Sequence, residues 1–305
     1  MFGAVSFAIA CSATPDGDLA QDDDDGGSST NGNGGAGGGL FHVGGNGSGG
    51  SSSDDCSDAA KLIYVLSDSN ELYSFDPPTK LITKIGTLAC QTSMQPNSMA
   101  VDRNAVAWVN YVESNGLSDT AGTLYQVSTA DASCEAVPSV NLTSGWFRMG
   151  MGFSTNGADT SDETLFVTGI SVGGGLGSVN FDSATVVPIG TFNGAFANEN
   201  AELTGTGNGT LHAFFTTLPV QVGQIDKNSA AVLNPVPLNT VELPNAWAFS
   251  FWGGDFYLYT ASLGNSRVNR YSPVGGTVDT SYVSDVGFRI VGAGVSTCAP
   301  VEPPN

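Results

Sequence analysis

Asn97, Arg148, Glu202, Trp247 and Arg289 stand at corresponding points of the chain, each at the head of a short run of small or apolar residues. Trp146 lies two positions before one of them. If these side chains converge, the chemistry they offer is recognition. Rings present apolar faces, and guanidinium forks match carboxylates. A sugar, a peptide or an acidic ligand would suit such a set. Hydrolysis of a glycosidic bond is less well served, because it needs two carboxyl groups facing the bond and Glu202 is the only acid of the set. Glu199 and Asp285 are close enough in sequence to lean in. The aromatics Trp146, Phe147, Phe196 and Trp247 have a second reading, in which they seal the core. Arg148, beside Trp146, is assigned to the ligand and Arg289 to structure, with Glu202 on the same rim.

No catalytic residue is assigned. Of the two histidines, His42 falls in a Gly-rich segment and His212 in an apolar run, where it reads as a hydrogen-bonded core residue. No Gly-x-Ser-x-Gly turn offers a nucleophile. No Cys-x-x-Cys pair exists and neither His is near a Cys, so no metal site is expected, and no cofactor. Gly173-Gly174-Gly175 opens no helix and gives no phosphate cradle. Asp22-Asp23-Asp24-Asp25 lacks the alternating ligands of a calcium loop and reads as a solvated spacer.

Charge narrows the partners. The net charge is −20. Nine of the 29 acids precede Lys61 with no base among them, so the remaining chain carries 20 acids against nine bases, a net −11. That field repels phosphate backbones, which excludes nucleic acid, and anionic lipid headgroups, so membrane attachment has to be covalent.

The elements that would position these side chains are strands. A polar residue, an apolar residue and then Asp or Ser recur as Ser74-Phe75-Asp76, Gln126-Val127-Ser128, Asn180-Phe181-Asp182, Gln224-Ile225-Asp226 and Arg270-Tyr271-Ser272. Each ends a period-2 strand and enters a turn, where Asp and Ser bond backbone N–H groups. Before each copy comes a continuous apolar run, such as 62–66 or 256–259, the signature of a strand covered on both faces. After each comes a more polar strand. A fourth type, rich in small residues, precedes the apolar runs: 98–101, 149–152, 203–206, 248–251 and, at the C-terminus, 290–294. No stretch sustains helical spacing. The period fits an all-β, five-bladed β-propeller over residues 56–299, closed by the C-terminal inner strand completing the first blade. The alternative is a six-bladed ring with an irregular blade between Leu142 and Asp162.

Cys56, Cys90, Cys134 and Cys298 form an even set. Cys56 precedes the first apolar strand and Cys298 follows the closing one, so Cys56–Cys298 would staple the ring. Cys90–Cys134 then follows by exclusion, although strand directions place these two near opposite faces and only a folded-over loop would join them.

Residues 2–10 are apolar and end in Ala8-Ile9-Ala10-Cys11, which resembles a bacterial lipobox with Cys11 as the acylated residue. The run is too short to span a bilayer and lacks a basic flank, so translation is expected to start further upstream. Residues 1–11 thus read as a signal-peptide remnant. Residues 12–55 read as a disordered acidic Gly/Ser-rich tether with a reach of roughly 35 Å, and 300–305 as a tail.

The run Leu72-Tyr73-Ser74-Phe75-Asp76-Pro77, with Ile85-Gly86-Thr87-Leu88, resembles repeats of uncharacterised bacterial propellers. The ending 287–298 is similar to that of secreted lipoproteins of the myxobacterial kind. The resemblance implies the propeller fold and export, and carries no activity. The expectation is therefore a monomeric, non-catalytic envelope lipoprotein that binds a glycan or protein ligand at the channel mouth. It would sit at the outer membrane or cell surface, or else be periplasmic or secreted. The alternative is an extracellular, glycosidase-like hydrolase with its active site at the same mouth.

Overall fold

The structure is a computed structural model, and it describes residues 56–136, 140–169 and 175–304. Cys11, the 12–55 segment, His42, Gly173 and Gly174 lie outside the described residues. Among these residues twenty strands form five four-stranded antiparallel sheets. Blade one holds β1 (Ile63–Ser67), β2 (Glu71–Asp76) and β3 (Leu81–Thr87). Blade two holds β4 (Gln95–Val101), β5 (Val106–Ser114), β6 (Asp119–Ser128) and β7 (Cys134–Ala136). Blade three holds β8 (Met149–Thr155), β9 (Glu163–Gly169), β10 (Leu176–Asn180) and β11 (Thr185–Gly190). Blade four runs through β12 (Ala201–Gly205), β13 (Leu211–Phe215), β14 (Gln221–Ile225) and β15 (Val232–Pro237). Blade five runs through β16 (Ala246–Trp252), β17 (Asp255–Ala261), β18 (Arg267–Ser272) and β19 (Thr277–Val283). The last strand, β20 (Ile290–Val295), returns to blade one and pairs with β1 in the register Ile63↔Val295 and Val65↔Ala293.

Five blades, not six, are therefore present. Residues 140–148 make a connecting loop touched by one isolated bridge, Asn141↔Thr185, and 156–162 is the turn between β8 and β9. A buried apolar cluster fills each blade–blade interface, and that is why the second strand of every blade is apolar on both faces. The inner strands do crowd the axis. A Cβ at Gly150 would lie 2.0 Å from the Ala201 carbonyl oxygen of the neighbouring blade, so only glycine admits that approach.

The repeat is more regular than its sequence. The residue four positions beyond the turn-forming polar residue adopts a left-handed backbone at Lys80, Ala132, Ala184, Ala230 and Gly276. Counting back gives Asp76, Ser128, Asn180, Asp226 and Ser272 as equivalent turn formers. Asn180, not Asp182, holds the position in blade three, and its Oδ1 accepts the Ser183 N–H at 2.8 Å. The apolar residues just before are Phe75, Val127, Val179, Ile225 and Tyr271, all buried, whereas Phe181 is 42 % exposed. Asp226 Oδ1 accepts from the N–H groups of Asn228 and Ser229, the expected turn chemistry.

Both disulfides are formed as expected, Cys56–Cys298 with a Cα separation of 5.8 Å and Cys90–Cys134 with 4.9 Å. The second pair is not kept apart by strand direction. Twist accumulates from the inner to the outer strand of a blade, and it carries the chain leaving β3 onto the β6–β7 turn of blade two. There the Ala89 N–H meets the Ala132 carbonyl at 3.4 Å. Two disulfides point to an oxidising, extracytoplasmic compartment.

Candidate functional site

The five inner strands start at one end of the central channel. Around that mouth lies a cavity of about 360 Å³, lined by Asn97, Arg148, Glu202, Trp247 and Arg289 with Asn200 and Asn245. One residue from the head of each inner strand reaches it, so a sequence alignment of the strands is enough to collect the set. Trp146 is not in the lining. It packs over Gly169 and Gly177 in blade three, and a Cβ at Gly177 would come within 2.8 Å of its ring. Phe147 joins the same core cluster and Phe196 that between blades three and four. Of the aromatics near the mouth, Trp247 is the one that lines the cavity.

The two arginines differ in what holds them. Arg148 forms a bidentate pair with Asp119, Nε to Oδ2 and Nη2 to Oδ1, each at 2.9 Å. Its Nη1 donates to Asn97 Oδ1 at 2.7 Å. Asn97 in turn donates to Met149 O at 2.9 Å and to Asn110 Oδ1 at 3.0 Å. Buried Asn110 donates to Phe147 O at 3.0 Å. This network ties blade two to blade three and neutralises the Arg148 charge with an acid at the start of β6. Arg289 is half-buried, and among the described residues its guanidinium has no hydrogen bond or ion pair. The bonding is the reverse of the sequence expectation: Arg148 is tied into the scaffold, and the Arg289 guanidinium has no partner among the described residues.

Glu202 is not a rim partner of either arginine. It is 4 % exposed, at the floor of the cavity, and its Oε2 accepts from Ser98 Oγ across the channel at 2.8 Å. Burial pushes its carboxyl well above the usual range, with the Ser98 hydroxyl and the Met151 N–H opposing the shift. Burial thus favours its protonated form, which can donate as well as accept. Among the described residues it is the one carboxyl lining the cavity. Glu199 and Asp285 do not line it, and Asp285 instead accepts from Asn265 Nδ2 and the Gly287 N–H.

The hydrogen-bonding groups left open at the mouth are few. Asn245 spends its Nδ2 on Ser262 O and keeps its Oδ1. Among the described residues the Asn200 side-chain amide makes no hydrogen bond; the Trp247 Nε1 also has no partner but is buried away from the cavity surface. Asn110 and Ser98 could have been flagged from sequence as polar residues inside apolar or small-residue strands. Asp119, Asn200 and Asn245 carry no such signal.

At the opposite end of the channel, Glu163 Oε1 accepts the Arg103 N–H at 2.7 Å and Oε2 accepts from Thr297 Oγ1 at 2.8 Å. Burial raises its carboxyl to about 7, helped by the charge of Asp102. His212 does lie in the core, between Phe251 and Phe256, but it is not fully bonded. Its buried Nδ1 has no partner, and burial lowers the imidazole to about 4.

No protein-family model matches the sequence, and no curated protein matches it. Similar solved structures include a chain of a nidogen/laminin complex, at 9 % identity and a TM-score of 0.47, covering 79 % of this chain and 99 % of that one. A gluconolactonase from Xanthomonas campestris is similar at 13 % identity and a TM-score of 0.40, covering 65 % and 68 % of the two chains. An auxiliary nutrient binding protein from Bacteroides ovatus is similar at 12 % identity and a TM-score of 0.41, covering 73 % and 54 %. At these values no ligand or activity passes to this chain.

Proposed function

We propose that this chain is a non-catalytic cell-envelope lipoprotein whose propeller binds a glycan at the channel mouth. The observation that carries the reading is the cavity itself. It combines open amide groups, one indole and a free guanidinium with a single, buried carboxyl. Its size is at the low end for small-ligand pockets, with room for roughly one or two sugar rings. Retaining or inverting hydrolysis would need a second carboxyl opposite Glu202, and Asp119, the acid bonded to the lining residue Arg148, is committed to that pair.

Titration of the full chain with neutral and acidic mono- to tetrasaccharides tests the reading. Saturable binding that quenches tryptophan fluorescence is expected, without turnover of aryl glycosides. Trp247→Ala should weaken it about tenfold, the worth of one aromatic face. Turnover, or no binding by any saccharide, would refute it.

In the same reading Cys11 carries the acyl chains, and residues 12–55 space the domain from the outer membrane or cell surface. Acyl burial at ~0.8 kcal/mol per CH₂ then holds the protein. The native gene product should enter the detergent phase and incorporate labelled fatty acid, and Cys11→Ser should release it. A soluble, unlabelled wild type would contradict the anchor.

A further inference from the structure

The chemistry left open at the mouth is specific enough to name a ligand class. We propose that the cavity takes a carboxylated sugar, a uronic acid residue of an acidic saccharide, with its carboxylate on Arg289 and its hydroxyls on Asn200 and Asn245. The proposal rests on the glycan reading above and narrows it.

Two of the chain's five arginines line this one cavity. Arg148 is saturated by Asp119 and Asn97, so it contributes shape more than charge. Arg289 is different. A planar fork of five donors, half-buried and without an internal acceptor, matches a carboxylate in two parallel hydrogen bonds. The neighbouring groups suit hydroxyls: an unbonded amide at Asn200 and an open carbonyl oxygen at Asn245.

Electrostatics at the floor agree with an anion. Glu202, the only carboxyl in the lining among the described residues, is buried at the floor and bonded to Ser98, and burial favours its protonated form, which lessens repulsion of a ligand carboxylate. With Asp119 pairing Arg148, Arg289 is the cationic side chain of the lining that has no ionic partner among the described residues. The domain around it is net acidic. A long polyanion would be repelled by that surface beyond the cavity, so the site selects an end group or a short oligomer rather than an internal stretch.

The test uses calorimetric titration of the full chain at low salt and neutral pH. The probes are galacturonic and glucuronic acid mono- and disaccharides, their neutral counterparts galactose and glucose, and acetate. A uronate should bind about 30-fold more tightly than its neutral counterpart, and Arg289→Gln should bring the two affinities to within about threefold of each other, the loss falling mainly on the uronate. The thermal midpoint of the variant should match wild type, since Arg289 holds no internal partner. Equal affinity for neutral and acidic sugars would overturn the carboxylate assignment while leaving the glycan reading intact. Acetate binding as tightly as a uronate would overturn the sugar class. Failure of every saccharide would remove both, and undiminished uronate binding by Arg289→Gln would overturn the role of that residue.

Discussion

Replacing Cys56 and Cys298 by Ser lowers the thermal midpoint of the domain by on the order of 10 °C. The disulfide spans 242 residues. In the chain-entropy account a loop of that length contributes about 5 kcal/mol, and native disulfides usually deliver 2–5. For a domain of this size each kcal/mol moves the midpoint by about 2–4 °C. Location adds to the effect. Without the bridge, only the β1–β20 ladder and its packing close the ring, together with contacts such as Tyr282 Oη to Pro77 O between blades five and one. Fraying there would expose two unpaired strand edges at once. Cys90–Cys134 spans 44 residues and joins blades already linked in sequence, so its loss should cost less. Scanning calorimetry of the two double variants measures both. A midpoint within about 2 °C of wild type for Cys56→Ser/Cys298→Ser would show that strand pairing alone closes the ring.

That closure was legible in the sequence because it follows from counting. Five inner-type strands, offset by one from the apolar strands, leave the last to complete the first blade. Blade boundaries were legible because each repeats the same turn. Where the turn was misplaced, at Asp182 instead of Asn180, two polar residues flank Phe181 and either satisfies the local pattern. The deciding feature is the left-handed residue four places on, and Ala184 does not advertise it as a glycine would. The candidate site divides in the same way. Membership of Asn97, Arg148, Glu202, Trp247 and Arg289 followed from their common place on the inner strands. Their roles did not, because each depends on a residue remote in sequence. Arg148 is satisfied by Asp119, 29 residues earlier, and Glu202 by Ser98, 104 residues earlier. Trp146 sinks into blade three because Gly177, in a strand two further on, leaves room for its ring. Complementarity of that kind has no period and no spacing.

The other large effect is on pH dependence. Glu163 and Glu202 occupy opposite ends of the channel, and burial raises both. A carboxyl whose folded pKa exceeds its unfolded value binds its proton more tightly when folded. Its favourable contribution is complete below the unfolded value near 4.5 and is lost as pH rises toward the folded value. For Glu163 that window runs from about 4.5 to about 7. The shift corresponds to a cost of about 3 kcal/mol once the group is ionised. Glu202 acts in the same direction. Glu163→Gln should therefore match wild type near pH 4 and exceed it near pH 8 by up to about 3 kcal/mol. The amide preserves both contacts, since its oxygen accepts the Arg103 N–H and its NH₂ donates to the rotatable Thr297 hydroxyl. Adding Glu202→Gln, where the Ser98 hydroxyl reverses in the same way, should widen the gap at pH 8 and leave pH 4 unchanged. His212 contributes with the opposite sign. Its imidazole is lowered to about 4, so it costs stability as pH falls below 6.5. Because His212 is present in every variant, it cancels in the difference between variant and wild-type curves. Urea unfolding of the three proteins from pH 4 to pH 8 gives those curves directly. Parallel profiles would mean that both carboxyls ionise in the folded channel without penalty, and a variant less stable than wild type at pH 8 would mean that the ionised forms hold the blades together.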